Sequence, residues 1–89
     1  MKIDKIVLLN AIDKWGCQSQ IFMAIEEMAE LTKELSKWYR KEESTEKILE
    51  EIADVIIMIE QIKIMFAFRD SDIQDAINKK IKQYLQDKK

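Results

Sequence analysis

The sequence has no proline, no histidine, one glycine and one cysteine among its 89 residues. Because proline and glycine build most tight turns and bulges, their scarcity argues against a sandwich or barrel of short strands. Without histidine the chain cannot supply a Ser-His-Asp triad, a His-ligated zinc or haem, or the histidines of a di-iron oxidase bundle. The lone Cys17 forms no intrachain disulfide, so we expect a reducing, cytoplasmic environment and a structural role for this residue.

The charges are nearly balanced, with 15 basic and 17 acidic side chains and a net charge of −2. Proteins that bind nucleic acid polymers normally carry a basic face, so this class is not expected. No stretch reaches the roughly 18 apolar residues of a membrane span, and the N-terminus has no signal-peptide pattern. With 47% apolar residues, the chain is predicted to form a single globular domain over residues 1–89, away from membranes.

Polar or glycine-containing points divide the chain into four predicted helices, at residues 3–14, 18–41, 45–68 and 72–86. Gly16 is expected to end the first helix, and Ser44 or Thr45 to cap the third. Ser71, with Gln74 three residues later, has the spacing of a capping box for the fourth helix. The sequence therefore predicts an all-α subunit of the four-helix-bundle type.

The second and third predicted helices differ in how their apolar residues are distributed. On the second, apolar side chains recur every three or four residues and leave a polar face that includes Glu30 and Glu34. The third is apolar nearly all round from Ile48 to Phe66, and such a helix must be covered on all sides. We expect it to be central and partly buried by another subunit, in a homodimer or homotetramer.

Acidic residues form one cluster on each of these two helices: Glu26, Glu27 and Glu30 on the second, and Glu50, Glu51 and Asp54 on the third. Carboxylates three residues apart project from one side of a helix, so antiparallel packing brings both pairs together. Acidic side chains usually form a solvated face, and this explanation suffices for the second helix alone. On the third, Glu51 and Asp54 fall within an apolar stripe, and the helix has no lysine or arginine between Glu50 and Glu60. A bound Mg²⁺, with Mn²⁺ as the alternative, would compensate them.

The run Glu26-Glu27-x-x-Glu30, then twenty residues, then Glu51-x-x-Asp54 resembles the signature of MazG-like nucleotide pyrophosphohydrolases. These enzymes belong to the all-α NTP pyrophosphatase superfamily. Further matching residues flank the motifs: Trp15, Gly16 and Gln20 before the first, and Ala53 and Val55 on either side of Asp54. The resemblance extends over most of the chain, from Trp15 to about residue 65.

The resemblance implies a reaction and a set of roles. The reaction is Mg²⁺-dependent hydrolysis of a nucleoside or deoxynucleoside triphosphate between the α- and β-phosphates, giving the monophosphate and pyrophosphate. The implied metal ligands are four carboxylates: Glu27, Glu30, Glu51 and Asp54. Glu27 is also the first choice to accept the proton of the attacking water, with Glu26 and Glu50 as alternatives.

The resemblance also implies residues that contact the substrate. Trp15 would stack on the base and Gln20 would hydrogen-bond to it, the alternative for Trp15 being packing in the core. Polar and basic residues of the fourth helix are candidates for phosphate contacts, or else form a solvated basic face: Asn78, Lys79, Lys80 and Lys82. A competing function is a non-catalytic helical dimerisation or protein-interaction module on the same scaffold, in which the apolar third helix binds a partner.

Overall fold

The computed structural model describes residues 2–41 and 45–86. Its elements are four α-helices and a closing π-helical turn: α1 Lys5–Trp15, α2 Cys17–Tyr39, α3 Thr45–Met65, α4 Asp70–Ile81 and the turn Lys82–Gln86. Because no strand occurs in either range, the predicted all-α class is confirmed. None of the helices in these two ranges combines the length and the apolar character needed to cross a membrane.

Asp4 and Gly16 set the two ends of α1. The Asp4 carboxylate accepts a hydrogen bond of 2.9 Å from the backbone N–H of Ile6, so the helix begins just after the predicted Ile3. The Gly16 N–H donates to the Ile12 carbonyl at 2.7 Å. Gly16 then turns the chain into α2 with a φ of 90°, a backbone conformation that side chains with a Cβ disfavour. The predicted role of Gly16 at this corner is confirmed.

The helix α3 ends at Met65 rather than at Phe68 because two backbone hydrogen bonds close it. The Phe68 N–H donates to the Lys63 carbonyl at 2.9 Å, and the Ala67 N–H donates to the Ile64 carbonyl at 3.1 Å. With Ala67 at a φ of 57°, these bonds form a Schellman motif. The apolar pattern continues through this turn, which is why periodicity alone extended the helix.

The predicted capping box of α4 is wrong. The backbone N–H of Arg69 donates to the Asp72 carboxylate at 2.8 Å, so the helix begins at Asp70, and Gln74 bonds to Asn78 instead. In accepting from the backbone N–H of the cap residue, the Asp72 carboxylate is stronger than the side-chain amide of Gln74 and is also favoured by the positive end of the helix dipole. For α3, Ser44 lies outside the described residues and Thr45 is the first helical residue.

The helices α2 and α3 form an antiparallel hairpin, and α1 packs against both, so α3 is no more central than α2 in the described part of the chain. The antiparallel direction follows from Gln20, which bonds to Gln61, while Glu27 further along α2 lies beside Asp54. The buried apolar side chains of the described residues come from all three helices: Leu8, Ala24, Val55 and Met58. This small core fixes the hairpin on which the acidic residues lie.

The helix α4 stands apart from the other three. It has no buried side chain and makes no close backbone contact with α1, α2 or α3 in the described residues. An ion pair between Lys63 and Asp70 ties its first turn to α3. The radius of gyration is 15.6 Å, whereas a compact chain of this length has about 12 Å. The described part of one chain is thus a three-helix core with a projecting fourth helix, and one chain by itself does not form the expected four-helix arrangement.

Candidate metal centre

Three carboxylates from the two long helices converge in the middle of the α2–α3 hairpin. Glu27, Glu51 and Asp54 each place one oxygen so that all three atoms lie within 4.8 Å of one another. Glu27 and Glu51 are half-buried and Asp54 is exposed. The antiparallel packing of two helices with acidic residues three apart produces this arrangement. We call these three residues the carboxylate triad.

The other predicted acidic residues lie around the carboxylate triad. Glu30 is exposed and outside it, but close enough that its charge raises the pKa of both Glu27 and Glu51. Glu26 is exposed and has the smallest effect on the pKa of Glu27. Glu50 is also exposed and is not part of the triad. The structure therefore brings together three of the four predicted ligands and sets the fourth, Glu30, beside them.

The electrostatics of the carboxylate triad disfavour the charged forms of Glu27 and Glu51. Desolvation raises the pKa of Glu27, and the charges of Asp54 and then Glu51 raise it further. Desolvation is also the main cause of the raised pKa of Glu51, followed by the charge of Asp54, while Lys47 lowers it slightly. Both shifts have the direction expected where like charges are crowded in a partly dry environment.

No ion pair compensates the carboxylate triad within the described residues: the ion pairs found there join Lys37 to Glu34, Lys63 to Glu60 and Asp70, and Arg69 to Asp72. In addition, Glu51 Oε1 is fully buried and accepts no hydrogen bond. An orphaned carboxylate oxygen among other carboxylate oxygens matches the ligand set of a hard divalent cation such as Mg²⁺. The residues present therefore fit a magnesium site.

Glu34 is a second buried carboxylate that the sequence did not reveal. It was expected on the polar face of α2, yet it is only 5% exposed and its Oε1 accepts no hydrogen bond. Lys37 one turn away lies 3.9 Å from this oxygen, and the charge of Glu34 contributes to the raised pKa of Glu51. The burial of Glu34 follows from the close approach of α3, which the pattern of α2 alone does not contain.

A cavity of about 390 Å³ lies beside the carboxylate triad, between α1, α2 and α3. Glu27 and Asp54 form one part of its wall and Gln20 and Gln61 another. The rest of the lining is mostly apolar or small: Ala11, Trp15, Ser19, Met23, Ile57 and Met58. The cavity and the triad therefore share two carboxylates, which makes them one continuous site.

The predicted contacts Trp15 and Gln20 both line this cavity, in different ways. Trp15 is 58% exposed, with the Lys14 ammonium 4.9 Å from its ring centroid, so the alternative of Trp15 as a core residue is wrong. Gln20 is buried, and its Nε2 donates to Gln61 Oε1 at 2.7 Å. Gln61 was missed by sequence analysis, although its position two turns after Asp54 places it on the same side of α3.

The predicted phosphate contacts on α4 are exposed and lie away from the carboxylate triad in this chain. Asn78 accepts a hydrogen bond from Gln74, and the Lys80 ammonium lies 5.3 Å from the ring centroid of Tyr84. Because α4 does not pack on the hairpin, its described residues do not contact the carboxylate triad of the same chain. Cys17 is exposed at the start of α2 and forms no disulfide.

The arrangement as a whole pairs oxygen ligands for a hard cation with a partly apolar cavity that has an aromatic rim. Such a site suits a ligand with an anionic part near the cation and a flat organic part in the cavity. No protein-family model, curated protein or solved structure matches this chain.

Proposed function

We propose that this chain is a magnesium-dependent nucleoside triphosphate pyrophosphohydrolase that acts in the cytoplasm and cleaves between the α- and β-phosphates. The convergence of Glu27, Glu51 and Asp54 beside a cavity that two of them line carries the proposal. The resemblance of the acidic motifs to MazG-like enzymes supplies the reaction. The geometry supports it because a nucleotide needs a cation site and a base cavity side by side.

The carboxylate triad would hold the cation, with Glu30 one turn further along α2 as a fourth ligand. When bound, Mg²⁺ neutralises phosphate charge and polarises the phosphorus–oxygen bonds. Magnesium keeps coordination positions for water and phosphate, and three or four protein carboxylates leave room for them. The partly exposed position of Asp54 leaves one side of the site open to the triphosphate.

Glu27 is the best-placed base for the reaction. It belongs to both the carboxylate triad and the cavity wall, whereas Glu26 and Glu50 are exposed and line no part of that cavity. In the proposed step a water oxygen forms a bond to phosphorus, the bridging oxygen leaves with pyrophosphate, and the water proton passes to the Glu27 carboxylate.

A second subunit is part of this proposal. The described chain exposes 7260 Å², whereas a folded monomer of its mass exposes about 5,500 Å². The excess of about 1,800 Å² is more than twice what a standard-size interface buries on one partner. Large apolar side chains of α2 and α3 account for part of it, among them Leu35, Trp38 and Leu49. We therefore propose a homodimer, or a homotetramer built from it, which sedimentation equilibrium would measure.

The same assembly would also offset the negative charge of the site and its substrate. Four carboxylates and one Mg²⁺ leave a net charge of −2, and a triphosphate adds about four more negative charges. Lys79, Lys80 and Lys82 lie near the end of α4, against which none of the described helices α1, α2 and α3 packs. Presented by the partner's α4, these side chains would offset the phosphate charge.

The test is pyrophosphate release from a panel of ribo- and deoxyribonucleoside triphosphates with Mg²⁺. We expect turnover by the wild type and a loss of at least about 100-fold in Asp54→Asn, because one ligand is removed. Asp13→Asn, the same chemical change on the exposed face of α1, should keep full activity. The proposal fails if two results occur together: no substrate is turned over, and calorimetry detects no Mg²⁺ binding that is lost in Asp54→Asn.

The exposed apolar surface also supports a second candidate, a non-catalytic module that pairs helices with a protein partner. Ile3, Leu49, Ile52 and Ile56 line an apolar recess of about 380 Å³ on the α3 side. In that case Asp54→Asn would leave assembly unchanged and no magnesium-dependent property would exist to be lost. The calorimetry above distinguishes the two functions.

A further inference from the structure

The hydrogen-bonded glutamines at the wall of the cavity have unused capacity. Two primary amides carry four N–H donors and two carbonyl acceptors between them, and their mutual bond uses one of each. Gln61 Nε2 has the sulfur of Met58, 4.0 Å away, as a weak further acceptor. Gln20 Oε1 accepts no hydrogen bond within the described residues and is not among their fully buried orphaned atoms. The pair therefore presents both donors and an acceptor to the cavity.

These groups restrict what can occupy the cavity. An apolar ligand would cover amide groups without bonding them, which is unfavourable for each group left unpaired. A flat heterocycle with a donor and an acceptor side by side on its edge would satisfy them. It would also pack against Trp15, Met23 and Ile57, which line the same cavity.

The polarity of the pair can also be inverted. If both amides rotate by 180° about their last side-chain bond, Gln61 donates to Gln20 and the mutual hydrogen bond is kept. The donors and the acceptor offered to the cavity then change places. An amino group and a carbonyl group at the same position of a ring can therefore both be matched.

We infer that the Gln20–Gln61 pair reads the edge of the nucleobase and that its two orientations allow amino and keto bases, such as cytosine and uracil, to bind about equally. This inference rests on the proposed function, which supplies the nucleotide. It goes beyond that function by assigning Gln61 as a residue that determines base preference. It also predicts tolerance of different bases rather than selection of one.

The experiment titrates cytidine and uridine, with ribose as the base-free comparator, in EDTA so that no metal or phosphate contributes. The chain has two tryptophans, so a Trp38→Phe background leaves Trp15 at the cavity rim as the fluorescent reporter. We expect dissociation constants for cytidine and uridine within about threefold of each other, and both at least about tenfold below that for ribose.

Two variants test the pair itself. In Gln61→Glu the carboxylate accepts without donating, which holds Gln20 with its amide nitrogen toward Glu and Oε1 toward the cavity. This orientation favours the amino group of cytidine, so we expect a preference of about tenfold over uridine. Gln61→Met, which keeps the side-chain length beside Met58 and buries no charge, should weaken both nucleosides about tenfold. It also carries the test should the charged variant not fold.

Unchanged affinities in Gln61→Met would overturn the inference, as would a wild-type preference above about tenfold between the two nucleosides. An unchanged ratio of the cytidine and uridine dissociation constants in a folded Gln61→Glu would also overturn it. Its failure can be told apart from that of the proposed function. If pyrophosphate is released but the Gln61 substitutions do not change nucleoside binding, only the base-reading role is wrong. If the nucleosides bind with the expected pattern of affinities but no pyrophosphate is released, only the proposed reaction is wrong.

Discussion

Buried polar groups occur at two levels of the α2–α3 hairpin, and their environments differ. At one level Gln20 and Gln61 bond to each other at 2.7 Å. At the other, Glu51 and Glu34 each bury an oxygen without a hydrogen bond, and desolvation, followed by the charge of Asp54, raises the pKa of Glu51. The amide level is compatible with stability, whereas the acidic level opposes folding of the free chain. Such a difference within one interface is typical of a site kept for a ligand.

Magnesium should produce the largest change in this comparison, because it would supply the partner that the carboxylates at the acidic level lack. At a concentration 100 times its dissociation constant, it should raise the unfolding free energy by about 2.7 kcal/mol. Urea unfolding at pH 7.5 with Mg²⁺ or EDTA measures the gain. Glu51→Gln should lose most of it, and Glu46→Gln, a matched change at an exposed position of the same helix, should keep it. Equal gains in both variants would contradict the assignment.

Placing an amide at the acidic level, or a carboxylate at the amide level, should have an intermediate effect on stability. Glu34→Gln replaces a buried carboxylate with an amide of the same size and should stabilise the metal-free chain by about 1 kcal/mol, despite ending the 3.9 Å ion pair with Lys37. Gln20→Glu places a carboxylate at the amide level and should destabilise it by about 1–3 kcal/mol. Denaturant unfolding in EDTA measures both, and changes of equal sign would show that the levels do not differ.

The pH dependence of the metal-free chain should be the smallest effect, since both shifted carboxyls are only half-buried and solvent screens their charges. A pKa raised on folding favours the protonated native state, so Glu27 and Glu51 oppose folding progressively as the pH rises above their usual 4.5. Asp70, whose pKa is lowered by Lys63, acts oppositely, and its contribution is lost below its usual 3.8. The melting temperature in EDTA should therefore fall as the pH rises above 4.5, and less in Glu27→Gln. A rise of the melting temperature above this pH would contradict the raised pKa values.

Local patterns in the sequence predicted the helices and the corner between the first two. Apolar periodicity placed α2 and α3 to within a few residues, and Gly16 marked the corner by its conformational freedom. Helix ends were less well predicted because several side chains compete for the same backbone groups. At α4 the carboxylate of Asp72 accepts from the backbone N–H of Arg69, the role predicted for Gln74 with Ser71 as the cap.

The carboxylate triad was predictable because the spacing of acidic residues fixes the side of the helix on which they lie. The burial of Glu34 was not, since it depends on how closely α3 approaches α2. The isolation of α4 was not predictable either. An amphipathic helix shows that one of its faces needs cover, but its sequence does not say which chain provides the cover.

All the carboxylates of the triad lie between residues 27 and 54, on two helices that follow each other directly. Closing one local hairpin is therefore sufficient to assemble them, without the docking of α1 or α4. Contacts of low sequence separation form early in folding because little chain entropy opposes them. A bound cation would therefore change the rate at which this hairpin forms as well as the stability of the folded protein.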